Sequence, residues 1–71
     1  MIKQLTIIGV GLIGGSLARA LKQADAVGEI VGSGRDAGHL QRALELGVID
    51  RIELDMAAAV STADMVVVAA P

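Results

Sequence analysis

The spacing of apolar residues along the chain switches between an extended and a helical pattern. From Ile2 to Ile8 the residues Leu5, Ile7 and Ile8 form a nearly continuous apolar run, as in a strand covered on both faces. Beyond glycines at 9, 11 and 14 the period lengthens. Ile13, Leu17, Leu21 and Ala24 recur at helical spacing, with Arg19, Lys22 and Gln23 on the outer side. This predicts a helix to Ala24 or Asp25, with Gly28 ending the connection. Glu29 to Ser33 reads as a second strand centred on Ile30 and Val31, running into the loop Gly32-Ser33-Gly34-Arg35. Asp36 is placed to cap a second helix through Leu46, with Leu40, Ala43 and Leu44 inward and His39, Arg42 and Glu45 outward. Gly47 stands where a left-handed residue ends a helix, and Val48 would fold back on the last turn.

Between Val48 and Leu54 the pattern allows a very short third strand around Arg51 to Glu53, or none. Asp55 reads as another cap, Met56 to Ser61 as a short helix, and Met65 to Ala70 as a buried strand built on three valines. Asp64 would cap the turn before it, and Met56 and Met65 would fill the core. The order β-α-β-α-(short β)-α-β predicts an α/β fold, a doubly wound parallel sheet with right-handed crossovers.

Gly9, Gly11 and Gly14 form a G-x-G-x-x-G, with a strand before it and a helix after it. That context distinguishes a dinucleotide-binding fingerprint from an ordinary strand-to-helix turn. Gly9 lets the chain turn off the strand, Gly11 lets a pyrophosphate approach the backbone, and Gly14 lets the helix lie close to the strand. The helix start offers unpaired N–H groups and a partial positive charge. Gly9, Val10, Gly11, Leu12, Ile13 and Gly14 are therefore candidate cofactor-binding residues. Ser16 has two readings: a contact to phosphate or backbone, or a small residue that permits close packing.

Composition narrows the chemistry. Seventy-one residues make one small domain at most, and without Phe, Tyr or Trp its core must be Leu, Ile, Val, Ala and Met. A net charge of −2 gives no basic footprint, which argues against nucleic acid. The chain has no Cys, hence no disulfide, thiolate nucleophile or zinc–thiolate site, and a single His rules out a multi-His metal site. His39 lies on the outer face of its helix and reads as a solvated surface residue. No carboxylate pair and no Ser–His–Asp set can be assembled, so no catalytic residue is assigned. The first residues lack the features of a signal peptide, and no apolar run reaches the ~18 residues of a membrane span. The expectation is a cytoplasmic domain with no membrane partner.

The cofactor's identity turns on the end of the second strand. An acid about 20 residues beyond the glycines takes the ribose hydroxyls of NAD, whereas a nearby Arg accommodates the 2′-phosphate of NADP. Twenty residues on from Gly14 stands Gly34, which carries no carboxylate. Arg35 follows, able to pair with a phosphate or stack on adenine, and Ser33 would add a hydrogen bond. Asp36 has two readings, N-cap or ribose acid. Glu29 opens its strand and so points to the wrong end of the sheet. The expectation is that NADP is accepted at least as well as NAD.

The chain resembles the prephenate and arogenate dehydrogenase family of tyrosine biosynthesis. The resemblance is carried by Gly9-Val-Gly-Leu-Ile-Gly-Gly-Ser16, Val31-Gly-Ser-Gly-Arg-Asp36, Ala43-Leu-Glu-Leu-Gly-Val-Ile-Asp50 and Asp64-Met-Val-Val-Val-Ala-Ala-Pro71. It implies the first part of a Rossmann-type domain, truncated here, in which the strand tip at Ala70 and Pro71 meets the cofactor. It also implies that a helical substrate and dimerisation domain, holding the catalytic histidine and substrate-binding arginines, lies beyond this chain. In the family, NAD(P)-dependent oxidation removes a hydride from the prephenate ring, carbon dioxide leaves and 4-hydroxyphenylpyruvate forms; arogenate gives tyrosine. Many NAD-using members carry Asp where this chain has Gly34. Two classes of function follow: the cofactor half of such an enzyme, inactive alone and homodimeric in its parent, or a stand-alone NAD(P)-sensing module without catalysis. A reading frame continuing into a helical domain that holds a His would decide for the enzyme.

Overall fold

The structure, a computed structural model, describes residues 2–9 and 12–69, and of residues 12–14 the backbone alone. Four strands, β1 (Ile2–Ile8), β2 (Val27–Ser33), β3 (Arg51–Ile52) and β4 (Met65–Val68), form one parallel sheet in the order β3-β2-β1-β4. Three helices, α1 (Leu12–Gln23), α2 (Ala37–Glu45) and α3 (Met56–Ser61), make the crossovers. The doubly wound α/β fold is as the alternation of elements implies, and the third strand exists as two residues.

Helices pack on both faces of the sheet. Leu5 and Ile7 pack with Ile30 into a core shared with Ala18 of α1 and Leu40 and Ala43 of α2. Thr6, between them, points to the other face, where its Oγ1 donates to the carbonyl of Ala59 in α3 (2.7 Å). Gln4 Nε2 reaches the same helix end, at Thr62 Oγ1 (2.9 Å). The wholly buried Thr6 is thus satisfied, as a buried hydroxyl must be.

Both long helices end in the same hydrogen-bonded motif. In α2 the N–H of Val48 donates to the Ala43 carbonyl (2.9 Å) and that of Gly47 to Leu44 (3.1 Å), with Gly47 at φ 74°. In α1 the N–H of Ala26 donates to Leu21 (3.0 Å) and that of Asp25 to Lys22 (3.1 Å), with Asp25 in the left-handed region at φ 55°. The stop signal of α1 is therefore Asp25, and Gly28 does not end the connection. It lies inside β2, which begins two residues earlier than Glu29, and a Cβ there would stand 3.0 Å from the Lys3 carbonyl oxygen.

The outer strands enter the sheet through a repeated device. Asp50, one residue before β3, donates its N–H to the Ile30 carbonyl (2.8 Å) and accepts the Ile30 N–H on Oδ2 (2.8 Å). Asp64, one residue before β4, does the same to Gln4: N–H to carbonyl at 2.9 Å, Oδ2 from N–H at 2.9 Å. Each aspartate sits in register with the residue it clamps, since Val31 pairs with Arg51 and Leu5 with Met65. Asp64 therefore ties β4 to β1 rather than capping the preceding turn.

Several packing expectations are corrected. The inward side chains of α1 are Ala18, fully buried, and Leu21; Leu17 and Ala24 are exposed, and the Ile13 side chain lies outside the described residues. Lys22 is held by Asp50 (Nζ to Oδ1 2.8 Å) rather than facing outward alone. Ser16 is exposed, so it does not serve close packing. The β4 strand is not buried: Val68 is 71% exposed, and only Val67, with Ala69 beyond it, packs on the core, because β4 forms the sheet edge beyond β1. Met65, the first residue of β4, and Met56, the first of α3, are exposed and do not fill the core.

Candidate cofactor site

Parallel strands all end on one side of a sheet, and in an open sheet ligands bind outside those carboxyl ends where the strand order reverses. Here the reversal falls between β1, which leads out to β2, and β4. Gly9 leaves β1 at φ 76°, and its N–H donates to the Ser33 carbonyl at the end of β2 (2.8 Å). On the other side the Ala69 N–H donates to the Ile8 carbonyl (2.9 Å). The start of the glycine segment is thereby held between the exits of β2 and β4, and α1 begins at Leu12 with its N-terminus at this end of the sheet. Val10 and Gly11 lie outside the described residues, as do Ala70, Pro71 and the side chains of Leu12 and Ile13.

Gly34 is more than a turn residue. Its φ of 151° lies where L side chains rarely go, and a Cβ would stand 3.4 Å from the Gly9 nitrogen. The exit of β2 thus lies directly against the fingerprint turn, and the position where many dinucleotide sites carry an acid is shaped for glycine. The next residue, Arg35, is exposed and has no ion-pair partner among the described residues.

Asp36 caps α2. One carboxylate oxygen accepts the His39 N–H (3.0 Å), and the other lies 3.3 Å from His39 Nδ1. Of its two readings the structure realises the cap, with the carboxylate turned onto the first turn of the helix. His39 is solvated as expected, at 76% side-chain exposure, and its ring has a partner three residues away in Asp36. The signal for it is the Asp-x-x-His spacing at a helix start, which brings a cap and a third-position side chain together.

Ser33, expected to add a hydrogen bond at the adenosine end, is the last residue of β2. It is fully buried, and its Oγ has no hydrogen-bond partner among the described residues. An unpaired buried hydroxyl costs about 1–3 kcal/mol. The side chain is enclosed at the end of β2, away from the solvent that Arg35 meets. Glu29 lies in the first half of β2, where it pairs with Arg51 (3.3 Å), away from the carboxyl ends of the strands.

A parallel β3-β2-β1-β4 sheet with a glycine turn at its reversal point and a helix N-terminus above it defines the class: a dinucleotide-binding α/β fold. Residues 17–71 match the family model for the nucleotide-binding domain of prephenate dehydrogenase. The chain belongs to the prephenate dehydrogenase family, through its nucleotide-binding domain. It is also similar to the crystal structure of prephenate dehydrogenase from A. aeolicus in complex with hydroxyphenyl propionate and NAD+. That likeness has a TM-score of 0.85 at 29% identity over 96% of this chain. The chain spans 24% of the length of that protein. No helix of the described residues is long and apolar enough to cross a membrane.

Proposed function

We propose that the chain is the cofactor-binding part of an NAD(P)-dependent prephenate or arogenate dehydrogenase of tyrosine biosynthesis. The observation that carries this reading is the family match over residues 17–71, joined to a glycine turn set between the exits of β2 and β4. The bound dinucleotide would accept the hydride that leaves the substrate ring as carbon dioxide departs. This chain's own part is to bind and orient it. The backbone of residues 9–14 would receive the pyrophosphate, the segment at Gly34 and Arg35 the adenosine end, and the strand tip at Ala70 and Pro71 the nicotinamide side. No side chain of the chain is assigned to proton or hydride transfer. In this reading a second, helical domain supplies substrate contacts and the dimer interface, the parent works as a cytoplasmic homodimer, and the 71-residue chain alone does not turn over prephenate.

The same site favours NADP at least as well as NAD. Gly34 presents no carboxylate to repel a 2′-phosphate, Arg35 is exposed beside it, and the Asp36 carboxylate is occupied by the N–H and ring of His39. For Asp36 to take ribose hydroxyls instead, it would have to release the cap, at about 1 kcal/mol. In the full-length protein, Arg35→Ala is expected to raise the Michaelis constant for NADP tenfold or more, about 1.4 kcal/mol if it tracks affinity, and to leave that for NAD nearly unchanged. A silent Arg35→Ala together with an Asp36→Ala that cripples NAD use would make the parent an NAD enzyme. Loss of dinucleotide binding in Gly11→Val, measured by calorimetry, tests the fingerprint itself.

A further inference from the structure

The corner of the site beyond β2 carries three neighbouring groups: the exposed cation Arg35, the anion Asp36, and the His39 imidazole, which touches that anion. Both carboxylate oxygens of Asp36 are turned to one residue, Oδ1 to the His39 N–H at 3.0 Å and Oδ2 to His39 Nδ1 at 3.3 Å. With a neutral imidazole, the formal charges of Arg35, Asp36 and His39 sum to zero. With a protonated one they sum to +1, and the Asp36 charge is offset by its own neighbour. We propose that His39 is a specificity-determining residue: its protonation cancels the Asp36 charge and raises the preference of this corner for a 2′-phosphorylated adenosine over one with a free 2′-hydroxyl. The inference rests on the assignment of Gly34 and Arg35 to the adenosine end of the dinucleotide.

The surrounding charges leave His39 as the variable element. On α2 itself Arg42 follows one turn later. Helix α2 packs against β3, whose Arg51 is held by Glu29 of β2 at 3.3 Å, and Glu53 follows β3 with its N–H on the Gly32 carbonyl. Carboxylates and guanidinium groups keep their charge between pH 6 and 8, whereas imidazole is the side chain whose charge changes there. Because His39 and Asp36 are both mostly exposed, solvent screens the effect, and it is of the size an exposed charge contributes.

The test is titration calorimetry of the full-length protein with NADP and with NAD at pH 8, 7 and 6, in wild type, His39→Gln and His39→Lys. Glutamine still reaches Asp36 but cannot charge; lysine is charged throughout. The 2′-phosphate itself titrates near pH 6, which acts on all three proteins and cancels in the comparison. The NADP-to-NAD affinity ratio of wild type, divided by that of His39→Gln, is expected to grow about three- to fivefold from pH 8 to pH 6, and His39→Lys to hold the higher ratio already at pH 8. Parallel profiles for wild type and His39→Gln, with NADP bound and Arg35→Ala damaging, overturn the role of His39 and leave the cofactor assignment standing. Failure to bind NADP, or a silent Arg35→Ala, overturns the assignment and this inference with it.

Discussion

The carboxylate of Asp50 is expected to contribute more to the fold through one backbone amide than through its ion pair. Its Oδ2 accepts the Ile30 N–H at 2.8 Å, while Lys22 Nζ lies 2.8 Å from Oδ1 and 2.6 Å from Oδ2. The Lys22 and Asp50 side chains are 35% and 37% exposed, so the pair is screened and contributes about 0.5 kcal/mol. The Ile30 amide is partly buried, and stripping its acceptor costs about 1–3 kcal/mol. Asp50→Asn keeps an oxygen for that amide and loses only the charge, so it should cost about 0.5–1 kcal/mol. Asp50→Ala loses both and should cost about 2–3 kcal/mol. Urea unfolding gives the totals, and hydrogen exchange at the Ile30 amide localises them: accelerated in the alanine variant, nearly native in the asparagine one. Equal losses in the two variants would refute the reasoning. The pH dependence supplies a second check. Burial alone would raise the Asp50 pKa, but the Lys22 hydrogen bond, the Ile30 N–H and the Lys22 charge together hold it below the usual 3.8. A carboxylate whose folded pKa is depressed stabilises the fold above its unfolded pKa and loses that contribution as pH falls through the folded value. Wild type should therefore lose stability more steeply than Asp50→Asn as the pH drops below 3.8.

Three further outcomes are expected. Gly34→Asp, which restores the acid that many NAD sites carry, should destabilise by about 1–3 kcal/mol in thermal unfolding because of the φ of 151° and the 3.4 Å approach to Gly9; an unchanged melting temperature would contradict the strained geometry. Asp25→Gly, at φ 55° in the end of α1, should stabilise by about 0.5–1 kcal/mol in the same assay, and a loss would mean that the Asp25 side chain contributes something beyond the turn. The 71-residue chain should self-associate with rising concentration in sedimentation, because β4 offers an edge with Met65, Val66 and Val68 exposed. Val68→Lys, at the most exposed of these positions, should suppress it, and a stable monomer at high concentration would count against the edge.

What the sequence made legible was whatever a local rule governs. The Asp36 and Asp55 caps, the Gly47 turn with Val48 folding back, and the strand–glycine–helix order each follow from a few neighbouring residues, and the structure contains all of them. What it concealed depends on partners distant along the chain. Helical spacing puts Leu17 on the inward face, but in the structure it is the small Ala18 that shares the core with Leu5 and Ile30, and Leu17 is exposed. The valines of β4 look like a core strand until the sheet order puts them at its edge. Asp50 and Asp64 look like turn residues until parallel pairing places each one opposite a backbone amide, 20 and 60 positions away, that its carboxylate can accept.

That last pair links the fold to the site. A parallel strand must be brought in by a crossover, so no tight turn sets its register. Here the register of each outer strand is fixed at its entry by an aspartate that uses both its N–H and its carboxylate on a single residue of the inner strand. Register set at the entry is carried to the exit, because each residue of a short strand advances in step with its neighbour. For β3 that exit is Glu53, bonded to Gly32, beside Ser33 and Gly34. For β4 it is Ala69, bonded to Ile8 and level with Gly9 in register. The two clamps lie at the far end of the sheet from the glycine turn, yet they determine which residues stand on either side of it. A one-residue slip of β4 would turn the Val67 and Ala69 face away from the core and shift the strand tip along the crevice where the dinucleotide is proposed to lie.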